Sequence, residues 1–228
     1  MSDSATHKSR TARSYDELRD AIVEAQYAPG EKLRIDHISR ELQVSSGAVR
    51  EALSRLTAEG LVIAEPQKGF VVAPISRRDL MHLTEVRIAV EGQCLADSIK
   101  HGDLGWEGRV LSAHHMLSSL GDAYKSIGTP EAGKWHKLHE DFHDQLTSAC
   151  KNLWWLRLRR QLYIQSERYR RLSGPADESD RDIAGEHAMI ADATIVRDAD
   201  SALRHLKDHL NRTTEILLAS RIPFTDDG

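Results

Sequence analysis

His139 and His143 stand four residues apart in a segment where Trp135, Leu138, Phe142 and Leu146 repeat at the helical period. That spacing puts both imidazoles on one side of a helix, where two rings can close on a single metal ion. His187 falls in phase with Ile190, Ala191 and Thr194, and His209 with Ala202, Leu206 and Thr213, so each is expected to point inward from its own helix. Four inward imidazoles on three helices are costly to leave unpartnered or charged. Either core hydrogen bonds satisfy them one by one, or one divalent ion satisfies all of them.

A second constellation suits nucleic acid. Val49, Ala52, Leu53 and Leu56 share the inner face of a short helix, which turns Ser46, Gly47, Arg50 and Ser54 outward near its start. The hydroxyls of Ser45 and Ser46, with the free N–H groups of the helix terminus, can meet phosphate oxygens, and Arg50 has the reach for a phosphate or a guanine edge. Lys68 and Gly69, at the tip of an expected hairpin, are placed for a further phosphate. The plainer alternative makes Arg50 and Lys68 solvated charges and Ser46 a helix cap.

These residues need elements to hold them. Ser14 with Glu17 fits a capping box, and Tyr15, Leu18 and Ile22 carry a first helix to about Ala25. Pro29-Gly30 ends that segment; Ile35, Ile38 and Leu42 mark a second helix, and the third runs from Ser45-Ser46 to Gly60. Leu61 to Ala64 and Phe70 to Ala73 are β-prone runs around Pro66-Gln67-Lys68-Gly69. Three short helices and a hairpin make a winged helix-turn-helix over residues 13–75, behind a flexible arm at 1–12. Residues 76–228 read as helix alone, over 79–101, 104–126, 131–150, 152–172, 180–197 and 199–220. The expected fold is mostly α, with the winged module followed by an antiparallel bundle of about six helices. On the 152–172 helix, Trp155, Leu158, Leu162 and Tyr169 are expected to share an inner face with Ser166, whereas the arginine run 157, 159, 160 reads as a solvated or interface face.

The chain has 228 residues, 40% of them hydrophobic and 29% charged, and its apolar runs stop after about four residues, so no membrane-spanning helix is expected. Met1 to Arg13 lacks the apolar stretch of a secretory signal, so a cytoplasmic protein is expected. With only Cys94 and Cys150, a disulfide framework or cysteine-rich zinc module is excluded. Net charge is −4, and residues 1–75 carry ten Lys and Arg against eleven acids, so affinity for nucleic acid has to come from local placement of charge.

Val44-Ser45-Ser46-Gly47-Ala48-Val49-Arg50-Glu51-Ala52-Leu53-Ser54-Arg55-Leu56, then Glu59-Gly60-Leu61-Val62 and Gln67-Lys68-Gly69-Phe70-Val71-Val72, resembles the DNA-binding domain of GntR-family bacterial transcription regulators. The family commonly has Ser-Arg-Thr-Pro where this chain has Ser45-Ser46-Gly47-Ala48, so the arginine often used for base contact is missing. The remainder resembles the FCD ligand-binding domain of the FadR-like branch, through Arg87 with Glu91, His139-Glu140-Asp141-Phe142-His143, Glu186-His187 and His209-Leu210. The resemblance implies a divalent metal on His139, His143, His187 and His209, with His205 as the rival ligand and His114, His115 and His136 at the surface or behind the ligands. His139 stands where the family usually has Asp or Asn, which favours zinc or nickel over manganese. The resemblance further implies a homodimer on a pseudo-palindromic operator and a small carboxylate effector beside the metal. Arg87 would clamp the effector bidentately, or else pair with Glu91 four residues on, and Ser166 and Tyr169 would line the pocket. Glu31-Lys32-Leu33-Arg34 and the histidine pattern look nearest to the carbon-starvation-induced members, which implies a short dicarboxylate such as glutarate.

Three functions are then in competition. A metabolite-responsive regulator, expected to be a repressor and not an enzyme, uses both halves of the chain. A pure metal sensor would take the ion itself as the signal. A metal-dependent hydrolase, with Glu140 or Glu186 as base, would need an open coordination position and would leave the winged module idle.

Overall fold

A computed structural model of the chain describes residues 10–67, 69–126, 129–173, 181–220, 222 and 224–225. The chain divides into two units, one made of Met1–Ser76, Glu167–Leu172 and Pro223–Gly228, the other of Arg77–Ser166 and Ser173–Ile222.

In the first unit, α1 (Arg10–Val23), α2 (Ile35–Glu41) and α3 (Ser46–Ala58) pack around Leu18, Ile22, Ile38, Val49, Leu53 and Leu56, all buried. The helix α1 starts one turn earlier than the capping box suggested. Ser14 is buried inside it, and Glu17 pairs with Arg13 at 2.7 Å, because Arg10 to Arg13 contain no residue that stops a helix. Ser45 caps α3 by accepting a hydrogen bond from Ala48 N–H at 3.2 Å. The hairpin is β2 (Val62–Glu65) and β3 (Gly69–Val72), and a two-residue strand β1 (Lys32–Leu33) completes a sheet of order β1-β3-β2, all antiparallel. Gly69 sits at φ +99°, where a side chain would be strained although nothing crowds its position. This is a winged helix-turn-helix.

The second unit contains α4 (Arg77–His101), α5 (Leu104–Ser118), α6 (Pro130–Thr147), α8 (Ile183–Ile195), α9 (Ala199–Ala219) and the first part of α7 (Leu153–Ser173). The helix α9 packs on α4 and α8, and α5 packs on α6 and α8, around Leu95, Trp106, Phe142, Leu146, Ile190 and Leu206. The breaks follow local chemistry. Asp103, Thr129, Asp182 and Asp198 each cap the helix that follows them. Gly102 is required because a Cβ there would lie 2.0 Å from the Trp106 ring. The helix expected to reach residue 126 ends at Ser118, since Gly121 takes φ +49° and only a single 3-10 turn, Ala123–Lys125, follows. Among the described residues no helix is long and apolar enough to cross a membrane.

Candidate functional site

Helix α6 supplies His139 and His143, α8 supplies His187 and α9 supplies His209. All four are buried, and one ligand atom from each lies within 4.8 Å of the others. Trp135 stacks on the His139 ring at 4.8 Å, while His143 and His187 meet Phe142, so apolar walls surround the nitrogens. Both ring nitrogens of His143 are buried and have no hydrogen-bond partner among the described residues. An unmet buried polar atom of that kind costs about 1–3 kcal/mol. Burial holds His143 well below the usual histidine range, and the neighbouring His209 and His187 add to the effect, so its ring is neutral. Burial lowers His209 as well, although Glu186 works against it. A neutral His143 with neither nitrogen hydrogen-bonded among the described residues, crowded by three further imidazoles, is what a divalent ion requires of its ligands, so the residues present fit such a group.

The surroundings fix the rings. His209 Nδ1 lies 2.7 Å from Glu186 Oε2, and Arg181 grips the same carboxylate through Nε at 2.7 Å and Nη2 at 2.5 Å. Burial alone would raise Glu186, but the hydrogen bonds from Arg181 and His209 outweigh it and hold the carboxyl at about 2. With Nδ1 turned to Glu186, the Nε2 of His209 is left to face the cluster. The Tyr163 hydroxyl lies 3.5 Å from His139 Nδ1. His205, one turn before His209, stands outside the group in a surface depression with Asp208 and Arg212. His114 rests against Phe142, His136 meets the edge of Trp135, and His115 is exposed.

Beside the cluster lies a buried charged group. Arg87 Nε donates to Glu91 Oε1 at 2.5 Å, and its Nη1 donates to Ser166 Oγ at 2.7 Å. The Arg87–Glu91 pair considered for a helix surface is therefore internal, with side chains 8% and 1% exposed. Burial pushes Glu91 up, but Arg87 and Arg159 together bring it below its ordinary value. Arg159 Nη1 donates to Asp144 Oδ1 at 2.5 Å.

The inner face of α7 differs from the expected one. Leu158 is 42% exposed, whereas Arg159, Tyr163 and Ser166, at i, i+4 and i+7, are buried. Arg157 and Arg160 are indeed exposed, but the arginine between them is not. Tyr169 falls in the first unit, where its hydroxyl lies 3.5 Å from the Ser76 carbonyl and its ring faces Phe224. Arg159, Tyr163 and Arg181 are thus site residues that sequence reasoning missed. The available signal was the phase of 159 with 163 and 166, masked by the rule that an arginine faces water.

On the winged module, Ser45, Ser46, Gly47 and Arg50 are all exposed at the start of α3, and Arg50 makes no hydrogen bond or ion pair among the described residues. Gly69 is exposed at the hairpin; Lys68 lies outside the described residues. Four exposed groups at one helix start, with its N–H dipoles behind them, form a surface suited to a phosphate backbone and base edges.

Residues 10–72 match the family described as bacterial regulatory proteins, gntR family, and residues 82–212 match the FCD domain. The chain is 36% identical over 213 residues to the HTH-type transcriptional regulator BphR of Paraburkholderia xenovorans LB400, covering 93% of this chain and 87% of that protein. It is 30% identical to the HTH-type transcriptional repressor GlaR of Escherichia coli K12, over 85% of this chain and 89% of that one. Among solved structures, a putative transcriptional regulator GntR from Rhodococcus sp. RHA1 matches with a TM-score of 0.74 at 25% identity, covering 93% of this chain and 99% of the other.

Proposed function

The chain belongs to the GntR family of bacterial regulatory proteins as a DNA-binding transcriptional regulator with an FCD domain, and from that premise we propose a cytoplasmic, homodimeric repressor whose operator affinity is set by a small carboxylate bound beside a divalent metal. His139, His143, His187 and His209 are the metal ligands, and Glu186 orients His209. An all-imidazole set favours zinc, with nickel next. When bound, the ion supplies Lewis-acid attraction for an anion and ties α6, α8 and α9 together. Arg87, held by Glu91 and Ser166, presents the remainder of its guanidinium to the carboxylate. Ser45, Ser46, Gly47, Arg50, Lys68 and Gly69 meet the operator, a pseudo-palindrome read by two winged modules. The observation that carries this reading is the four buried imidazoles on three helices, with neither nitrogen of His143 hydrogen-bonded among the described residues.

A pure metal sensor is the competing reading, favoured by the fact that Arg87 already bonds Glu91 and Ser166. Fluorescence anisotropy on a labelled operator separates the two. Metal-loaded protein should bind, and should respond to one member of a carboxylate panel; metal-stripped protein should lose that response. A response to metal alone, with every carboxylate silent, assigns the sensor instead.

A further inference from the structure

The outward face of α3 is one stripe: Gly47, Glu51, Ser54 and Ala58 follow one another at four, three and four residues, opposite the buried Val49, Ala52, Leu53 and Leu56. All four are exposed. Gly47, Ser54 and Ala58 are short, so Glu51 is the member of the stripe whose side chain extends well beyond the helix surface. Arg50 lies at the edge of the same face, about 100° round the helix from it.

Arg55 follows Glu51 by one turn, the spacing of a surface ion pair. That pair is not formed. Arg55 is turned to α1 instead, where its guanidinium lies 3.8 Å from the centre of the Tyr15 ring. Tyr15 is fixed in turn by its hydroxyl, which donates to the two oxygens of Glu59 at 2.7 and 2.8 Å. Among the described residues Glu51 makes no hydrogen bond or ion pair, so both of its carboxylate oxygens are available as acceptors.

A carboxylate without a cation is a liability on a surface that meets phosphates, because it repels the polyanion. It is tolerated where it points to the floor of the major groove and finds a donor there. Cytosine presents its N4 amino group in that groove with no acceptor of its own, whereas adenine sets N7 beside its amino group, guanine presents N7 and O6, and thymine presents O4 and a methyl. A bare acceptor therefore suits cytosine and meets an acceptor or a methyl on each of the other three. The short neighbours of Glu51 leave room for the helix to approach closely enough for that contact.

We propose that Glu51 is a specificity-determining residue of the operator surface, accepting a hydrogen bond from the N4 amino group of one cytosine in each half-site. The proposal rests on the reading of α3 as the helix that meets the operator, and adds a base that this helix selects.

Selection from a random double-stranded DNA library by the full-length protein in buffered zinc, followed by sequencing, tests it. Wild type should enrich a half-site with one cytosine whose preference is lost in Glu51→Ala while the other positions stay selected. Glu51→Gln should shift that position toward adenine, because an amide both donates and accepts. By fluorescence anisotropy, Glu51→Ala should bind the wild-type duplex about 5- to 150-fold more weakly, the worth of one good base-edge contact. On a scrambled duplex it should bind no more weakly than wild type, because the charge removed is one that repels phosphates. An unchanged half-site in Glu51→Ala, cytosine retained in Glu51→Gln, or equal weakening on both duplexes would overturn the assignment and leave α3 as the operator helix. If wild type enriches no half-site at all, the reading of α3 falls and this inference with it.

Discussion

Metal loading should raise the melting temperature, and the size of the rise follows from the site. Only the folded chain brings four imidazole nitrogens within 4.8 Å of one another, so the ion binds the native state almost exclusively. At a free concentration one hundred times its dissociation constant, such a ligand stabilises by about 2.7 kcal/mol. A chain of this size moves about 2–4 °C per kcal/mol, so Tm should rise by roughly 5–11 °C. The sign with pH is fixed by His143 and His209, both lowered by burial. They stay neutral in the folded chain, while the unfolded chain takes up protons near pH 6.5; native stability is therefore present above that pH and declines as pH falls below it. Metal must also compete with protons for the same nitrogens, so the gap between loaded and stripped protein should narrow from pH 7.5 to 5.5. Differential scanning fluorimetry in buffered zinc measures both effects. No rise at pH 7.5, or an undiminished rise in His143→Ala, would refute the reasoning.

Arg50→Ala should cost about 1–3 kcal/mol of operator affinity with the melting of the helical unit unchanged, read by anisotropy and calorimetry; wild-type affinity and salt dependence would make Arg50 a surface charge only. Arg87→Ala leaves the buried Glu91 carboxylate short of its closest cation and should destabilise by about 3 kcal/mol in urea, whereas the double change with Glu91→Gln should cost less than the single one, and additive losses would deny the coupling. Sedimentation at micromolar protein should show a dimer; a monomer with full operator affinity would remove the two-module reading of the operator.

How much of this was legible depends on whether charge and periodicity agreed. The third helix and the wing were readable because Val49, Leu53 and Leu56 repeat at the helical period and Gly60 and Gly69 mark the turns. The histidines were readable for the same reason, each lying in phase with an apolar stripe that does face the core. The strand β1 was not, since two residues carry no period and Lys32 and Leu33 are strand only by pairing with Val71 and Phe70. On α7 the two signals conflicted. Apolar residues pointed to a face through Leu158, yet Arg159 is buried because Glu91 and Asp144, distant in sequence, supply the negative charge that makes it tolerable. Tyr169 shows the limit of a helical face read by phase: it follows Ser166 by less than a turn but belongs to the other unit.

Metal analysis of five single alanine variants tests the central claim most directly. Wild type and His205→Ala should each retain close to one zinc or nickel ion per chain after gel filtration, and changes at His139, His143, His187 and His209 should each weaken or abolish retention. An unaltered metal content in His187→Ala or His209→Ala would contradict the account, because the imidazoles would then be core residues and the ion, if present, would be held elsewhere.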